Sequence, residues 1–295
     1  SLKSLPPLLD KERGIQGVRL TNNLLRGRNM KIAFIGGGNM GEAMVSAILD
    51  KGLAKPEAVT ISDIAQARLK HLEQKYGVAV TGSNPKAISG KDVVVLAIKP
   101  QNLPEVISEL GGKLKSNQLV LSIIAGAKIR ALSKGLKHGG IVRAMPNTPA
   151  QIGEGMSVWT ATAEVTDEQK GWAGAILGAM GRELYVDDES YLDMATAISG
   201  SGPAYFFLMV ESLVDAAVKI GLPRDIAQEL VLQTMLGSAK FIQKSGEEPA
   251  ELRRKVTSPG GTTAEALLRL EKGGFSQLIL EAVKAAYDKA KRLGG

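Results

Sequence analysis

The sequence predicts an α/β chain in two parts, an N-terminal doubly wound parallel sheet followed by an all-α C-terminal domain. Three observations lead there. From Met30 to about Asp188, short β-branched runs alternate with helical segments, the pattern of βαβ units. Within that half, residues 92–98 read DVVVLAI, an apolar run of the kind buried on both faces of a parallel sheet. From Glu189 onward strand signals stop and long, strongly apolar helices take over. The chain has 295 residues, 44% hydrophobic and 23% charged, the size and balance of one large or two medium soluble domains. The expected division is an extension over residues 1–29 outside the fold, a sheet domain over 30–188 and a helical domain over 189–295.

Residues 31–35 (KIAFI) read as the first strand. Gly36, Gly38 and Gly41 follow in GxGxxG spacing, and residues 42–49 read as a helix. Strand, glycine turn and helix in that order are the context of a dinucleotide-binding fingerprint, so the sheet domain is expected to be of Rossmann type. Gly36 permits the tight turn, Gly38 lets backbone approach a pyrophosphate, and Gly41 lets the helix pack on the strand. The helix N-terminus adds unpaired N–H groups and a partial positive charge. Further strands are expected at 59–62, 78–80, 92–98, 119–124 and 140–143, with a polar helix over 65–76. Residues 155–159, a helix from Asp167 and a strand at 183–186 close this half. Strands joined through helices imply right-handed crossovers and parallel pairing.

In the helical half, residues 203–220 place Glu211, Asp215 and Lys219 four apart, a single polar stripe on an otherwise apolar helix. Residues 226–242 are nearly as apolar, and further helices are expected over 248–256, after Gly261 and over 276–292. So small a domain cannot bury helices that are apolar almost all round. A dimer interface across a two-fold axis is expected instead.

Composition removes several classes of chemistry. There is no cysteine, which excludes disulfides, thiolate metal sites and a thiol nucleophile. The two histidines, His71 in ARLKHLEQK and His138 beside Gly139 and Gly140, read as surface residues, and no metal site is expected. Net charge is +7, most of it from the extension, where Lys3, Lys11, Arg13, Arg19, Arg26 and Arg28 face Asp10 and Glu12. With aromatics at 4%, clustered basic residues over aromatic platforms are lacking, so no nucleic-acid partner is expected. Residues 194–210 are uncharged but collect Ser199, Gly200, Ser201, Gly202 and Pro203, unlike an ordinary membrane span. The N-terminal segment lacks the apolar core of a secretion signal. The expected location is the cytoplasm, with no membrane partner.

Five stretches could carry chemistry. Past the second strand, Asp63 argues for NAD by binding ribose hydroxyls, whereas Ser62 and Arg68 leave room for the 2′-phosphate of NADP. At the end of the fourth strand, Lys99 in AIKPQ could face a nicotinamide or a substrate. The loop MPNTP (145–149), stiffened by two prolines, suits a rigid wall near the nicotinamide. In ISGSGPAY (198–205), Ser199 or Ser201 can cap a helix with Pro203 in its first turn. In VTSPGGTTAEAL (256–267), Thr262 or Thr263 starts a helix whose free N–H groups offer a seat for a carboxylate.

GGGNMGEAM, AIKPQ, AMPNTPA, ISGSGPAY and above all VTSPGGTTAEAL, in this order and spacing, resemble the pyrroline-5-carboxylate reductase family, from Met30 to about Arg292. The resemblance implies a Rossmann domain, a helical domain intertwined with that of a second subunit, and a substrate site at the interface of a homodimer or higher homo-oligomer. Carried over by position, it implies Gly36, Gly38, Asn39, Met40 and Gly41 at the pyrophosphate. Ser62, Asp63 and Asn84 would lie around the adenosine ribose, and Ala97, Lys99 and Pro100 near the nicotinamide. Ser201, Gly260, Gly261, Thr262 and Thr263 would hold the substrate, with Thr263 as the catalytic partner of the ring nitrogen. NADP(H) is the implied cofactor and NAD(H) the alternative, with Asp63 at issue between them.

The implied reaction, hydride transfer to the imine carbon of 1-pyrroline-5-carboxylate to give L-proline, suits this composition. A cyclic imine can enter protonated, so orientation and electrostatics suffice and no strong general acid is needed. A related hydroxyacid dehydrogenase would need a base for the hydroxyl proton. A non-catalytic NAD(P)-binding dimer would have no use for the SPGGTT turn.

Overall fold

The computed structural model describes residues 30–294. The extension expected over 1–29 lies outside the described residues. The first part of the chain builds an eight-stranded sheet in the order β3-β2-β1-β4-β5-β6-β7-β8. The strands are β1 Ile32–Ile35, β2 Val59–Ser62, β3 Ala79–Thr81, β4 Val93–Leu96, β5 Leu119–Ser122, β6 Ile141–Met145, β7 Gly155–Ala161 and β8 Gly181–Tyr185. Between them run α1 Asn39–Asp50, α2 Gln66–Tyr76, α3 Asn84–Ala87, α4 Leu103–Leu110, α5 Ile129–Leu136 and α6 Asp167–Gly178.

The central strands are buried on both faces, and residues alternate between two cores. Ile32, Phe34, Val95 and Leu121 face α1, α2 and α6 through Ile48, Leu72 and Ile176. Ala33, Ile35, Val94 and Val120 face α4 and α5 through Val106 and Leu132. β1 pairs in parallel with β2 on one side and β4 on the other, with Ile35 beside both Ser62 and Leu96. Strand order therefore reverses at β1, and the carboxyl ends of β1, β2 and β4 open at that switch point.

The sheet departs from the expected parallel arrangement at one seam. β7 runs antiparallel to β6, while β7 and β8 are parallel. Residues 146–154, which join β6 to β7, contain only the short 3₁₀ turn Thr148–Ile152. A parallel return needs a crossover of roughly a dozen residues or more, as α6 supplies between β7 and β8. His138 also differs from the sequence reading. It is buried, with Nε2 at 2.8 Å from the Gln118 carbonyl just before β5, at the amino-terminal end of the sheet.

After β8 the chain enters α7 Ser190–Ala195 and a π-turn, Thr196–Gly200, neither of which the sequence announces. Thr196 Oγ1 donates to the Leu192 carbonyl at 2.7 Å and Ser199 Oγ to that of Ala195 at 3.0 Å. Such bonds to carbonyls four residues back compete with the helical ladder and bend it. α7 is tied to the sheet by Arg143 of β6, whose buried guanidinium reaches Glu189 at 2.8 Å and Asp193 at 2.9 Å. Glu189 also accepts the Ile129 N–H at 2.8 Å.

The rest is helical: α8 Gly202–Lys219, α9 Arg224–Ser245, α10 Pro249–Lys255, α11 Thr262–Lys272 and α12 Phe275–Leu293. The described chain forms two compact units. Ser201–Ala286 is one; the other contains everything before it together with the segment from Tyr287 onward. In the first unit a side chain at Gly126 would meet Leu293 at 2.8 Å, so the end of α12 sits against the loop after β5. The helical unit leaves much apolar surface uncovered. Phe206, Phe207 and Leu208 are 58%, 65% and 63% exposed, and Leu230, Phe241, Leu278 and Leu280 are exposed as well. By length and composition Ser190–Lys219 could cross a membrane. The π-turn and Gly202-Pro203 interrupt it, and α8 carries Glu211, Asp215 and Lys219, features equally of a helix from a bundle core.

Candidate active site

The glycine turn after β1 separates the three roles expected of it. Gly36 has φ +101°, and a side chain there would lie 2.5 Å from the Ala97 carbonyl oxygen at the end of β4. Its N–H donates to the Ser62 carbonyl at 2.8 Å, which ties β1 to β2 at their carboxyl ends. A side chain at Gly41 would come within 2.5 Å of the Gly36 carbonyl oxygen, so only glycine lets α1 pack this closely. Gly38, by contrast, has no atom within 4 Å of where its Cβ would stand. α1 starts at Asn39, three residues earlier than the sequence suggests, with Gly38 as N-cap. Asn39, Met40 and Gly41 therefore form its first turn, whose N–H groups have no intrahelical partner. An open glycine at the tip of a helix N-terminus fits a pyrophosphate.

Asp63 turns back onto this loop. Its Oδ2 accepts the Gly37 N–H at 2.7 Å and its Oδ1 the Ala65 N–H at 2.9 Å. Arg68 donates Nε to the Gly37 carbonyl and Nη2 to Glu42. Glu42, in the first turn of α1, also accepts from Lys75 at 3.0 Å and Tyr76 OH at 3.0 Å, with His71 at 3.4 Å. Burial opposes its charge, but the bonds from Lys75, Arg68, Tyr76 and His71 outweigh that and hold its carboxyl at about 2. Sequence reasoning missed this hub. Its signal was there, with Arg68, His71 and Lys75 spaced along one face of α2.

Ser62 is buried beneath the turn. Asn84 opens α3 and donates Nδ2 to Glu109 at 2.8 Å, so its amide is held by α4. Ala97 is half-buried at the mouth of β4, and Lys99 and Pro100 stand exposed beyond it. The cofactor-side residues predicted from the sequence thus collect around the switch point of the first unit.

The substrate-side residues fall in the second unit. Gly260 has φ +68° and turns the chain out of α10. Gly261 is the N-cap of α11, with no side-chain cap bond, and its N–H donates to the Ser258 carbonyl at 3.0 Å. Thr262 and Thr263 open the helix, Thr262 exposed and Thr263 half-buried, with Glu265 following in its first turn. The result is a helix N-terminus with uncapped N–H groups and two hydroxyls. Ser201 does not cap α8 through its side chain, and Ser199 bonds backwards to Ala195, so the capping expected of either serine is not made. Pro203 does lie in the first turn.

Residues 31–126 match the family model for NADP oxidoreductase, coenzyme F420-dependent. Residues 189–293 match the model for pyrroline-5-carboxylate reductase dimerisation. A pyrroline-5-carboxylate reductase of Synechocystis is 42% identical over 266 residues, which cover 90% of this chain and 99% of that protein. The chain belongs to the pyrroline-5-carboxylate reductase family. A solved pyrroline-5-carboxylate reductase from Coxiella burnetii superimposes with a TM-score of 0.83 at 36% identity, covering 91% of this chain and all of that one. The Plasmodium falciparum enzyme, solved with NADP bound, gives a TM-score of 0.83 at 34% identity, covering 90% and 99%. The reductase dimerisation segment spans α7 to α12 and includes the SPGGTT turn.

Proposed function

We propose that this chain reduces 1-pyrroline-5-carboxylate to L-proline with NADP(H), accepting NAD(H) as a second donor, and works as a homodimer in the cytoplasm. The observation that carries the reading is the match to reductases along nearly the whole chain, in which glycine cradle and SPGGTT turn occur together. In this reading residues 30–188 bind the dinucleotide and 189–295 dimerise and hold the substrate.

The bound nicotinamide supplies a hydride. The N–H groups of Asn39, Met40 and Gly41 would hold the pyrophosphate, with the bare Gly38 leaving room for it. Ser62, Asp63 and Asn84 border the ribose. The commitment of Asp63 to two backbone amides takes it from the ribose hydroxyls and supports NADP(H), while Arg68 is itself held by the Gly37 carbonyl and Glu42. Ala97, Lys99 and Pro100 line the nicotinamide end. The N–H groups of Thr262 and Thr263 bind the substrate carboxylate, with Gly260, Gly261 and Ser201 bordering it. The Thr263 hydroxyl accepts the N–H of the protonated ring nitrogen. The imine carbon gains the hydride, the C=N π pair passes to nitrogen, and the proton already there remains, so no base is consumed. That agrees with two histidines that have other partners, His71 against Glu42 and His138 on the Gln118 carbonyl.

The test is turnover by the purified chain of NADPH and of NADH with 1-pyrroline-5-carboxylate, followed by loss of reduced-nicotinamide absorbance. An α-keto acid serves as control. Oxidation with the imine alone is expected; oxidation with the keto acid alone would overturn the reading.

A further inference from the structure

The carboxyl end of β6 and the loop after it grip α7 and the π-turn through three alternate residues. Arg143 pairs with Glu189 and Asp193 at the start of α7. Met145 stands so close to Gly200 that a side chain there would lie 2.9 Å from its methyl group. Asn147 donates Nδ2 to the Ser199 carbonyl at 3.0 Å and accepts the Met156 N–H on Oδ1 at 2.8 Å. Its amide therefore bridges β7 and the last residues of the turn. A π-turn sacrifices the regular helical ladder and is frequent at functional sites, where its surroundings hold it in place. Here the outside hold on the Ser199 carbonyl is one side-chain amide, two residues before Ser201.

We propose that Asn147 is a positioning residue for the reduction. It fixes the π-turn and so sets the Ser201 end of ISGSG, which the proposed reading assigns to the substrate; the inference rests on that reading. Asn147 acts through the Ser199 carbonyl.

The full-length chain carrying Asn147→Ala or Asn147→Asp tests this. Asn147→Ala should lower kcat/KM for the imine about 10- to 100-fold, while the NADPH Kd, read by fluorescence titration, stays within about twofold. Asn147→Asp gives a sharper signature. A neutral carboxylic acid can still donate to Ser199 and accept from Met156, whereas a carboxylate meets the Ser199 carbonyl with like partial charge. Arg143, the cation of this strand end, is already paired. The Asn147→Asp activity, as a ratio to wild type at each pH, should rise several-fold as pH falls from about 8 to about 5. The Asn147→Ala ratio should stay flat. Wild-type kcat/KM in Asn147→Ala, an equal loss of NADPH affinity, or a flat Asn147→Asp ratio would each overturn the proposal. If Asn147→Ala does not fold, the Asn147→Asp ratio decides alone. Wild-type protein inactive with the imine would overturn the reductase reading itself, and this inference with it.

Discussion

The two units treat their apolar side chains in opposite ways. In the first, Ile32, Phe34, Val95 and Leu121 are fully buried, because helices from the same unit cover both faces of the sheet. In the second, side chains as large as Phe206, Phe207 and Leu208 remain more than half exposed, while Val214, Ala227 and Leu252 are buried. The difference teaches that apolar content alone does not build a core. The sheet unit covers its central strands with its own helices, and exposed aliphatics such as Ile64 and Ile152 lie off those strands. The helical unit presents a face that becomes a core when another copy covers it, as the proposed homodimer would.

The sharpest way to break that comparison is to charge the exposed face. In a covered interface Phe207→Glu buries an unpaired carboxylate and should weaken the dimer about a thousandfold or more, read by sedimentation across protein concentration. NADPH binding by the sheet unit should survive. Unchanged sedimentation would mean the face is not what joins the copies.

Next in size is a change inside the self-sufficient unit. Gly36→Ala must adopt a strained φ and push against the Ala97 carbonyl. A loss of about 2–3 kcal/mol in unfolding free energy is expected, together with weaker NADPH binding and an unaltered dimer. A melting curve matching wild type would show that the turn tolerates a side chain.

Thr263→Ala probes the helical unit at a hydroxyl rather than at an apolar side chain. Catalytic efficiency with the imine should fall about 10- to 100-fold with dimer and NADPH affinity intact. Full activity would remove Thr263 from the site.

The smallest effect concerns pH. The Glu42 carboxyl is lowered in the folded chain from 4.5 to about 2. Its contribution is therefore complete above about pH 4.5 and is lost as pH falls from there toward 2. Glu42→Gln should cost about 1–2 kcal/mol at neutral pH, allowing for solvent screening, with the gap to wild type closing over that acid interval. Urea unfolding at neutral pH and near pH 3 measures both. A gap independent of pH would mean the hub works by packing rather than charge.

What could be read from the sequence follows from how local each signal is. β1, β2 and β4 were legible as short β-branched runs, and the glycine turn and α1 because the glycines that follow β1 are spaced as a dinucleotide turn requires. The SPGGTT turn was legible for the same reason, as a break followed at once by a helix start. The reversed direction of β7 was not, since it depends on the lack of a crossover helix in residues 146–154 rather than on any residue of the strand. α7 and its π-turn were hidden because Thr196 and Ser199 look like loop residues until their hydroxyls are seen bonding four residues back. His138 resembled a surface residue beside two glycines, and only the Gln118 carbonyl accounts for its burial. Glu42 looked like an ordinary first-turn acid. Its partners lie in α2, beyond the reach of periodicity within one helix.

The seating of Leu293 beside Gly126 bears on synthesis at the ribosome. The sheet strands emerge early, and most of the first unit could collapse while the helical unit is still being translated. Yet the segment from Tyr287 onward belongs to that first unit. Its packing is thus completed only when the last turns of α12 have left the exit tunnel. The dinucleotide-binding half, begun before the helical unit, is finished after it.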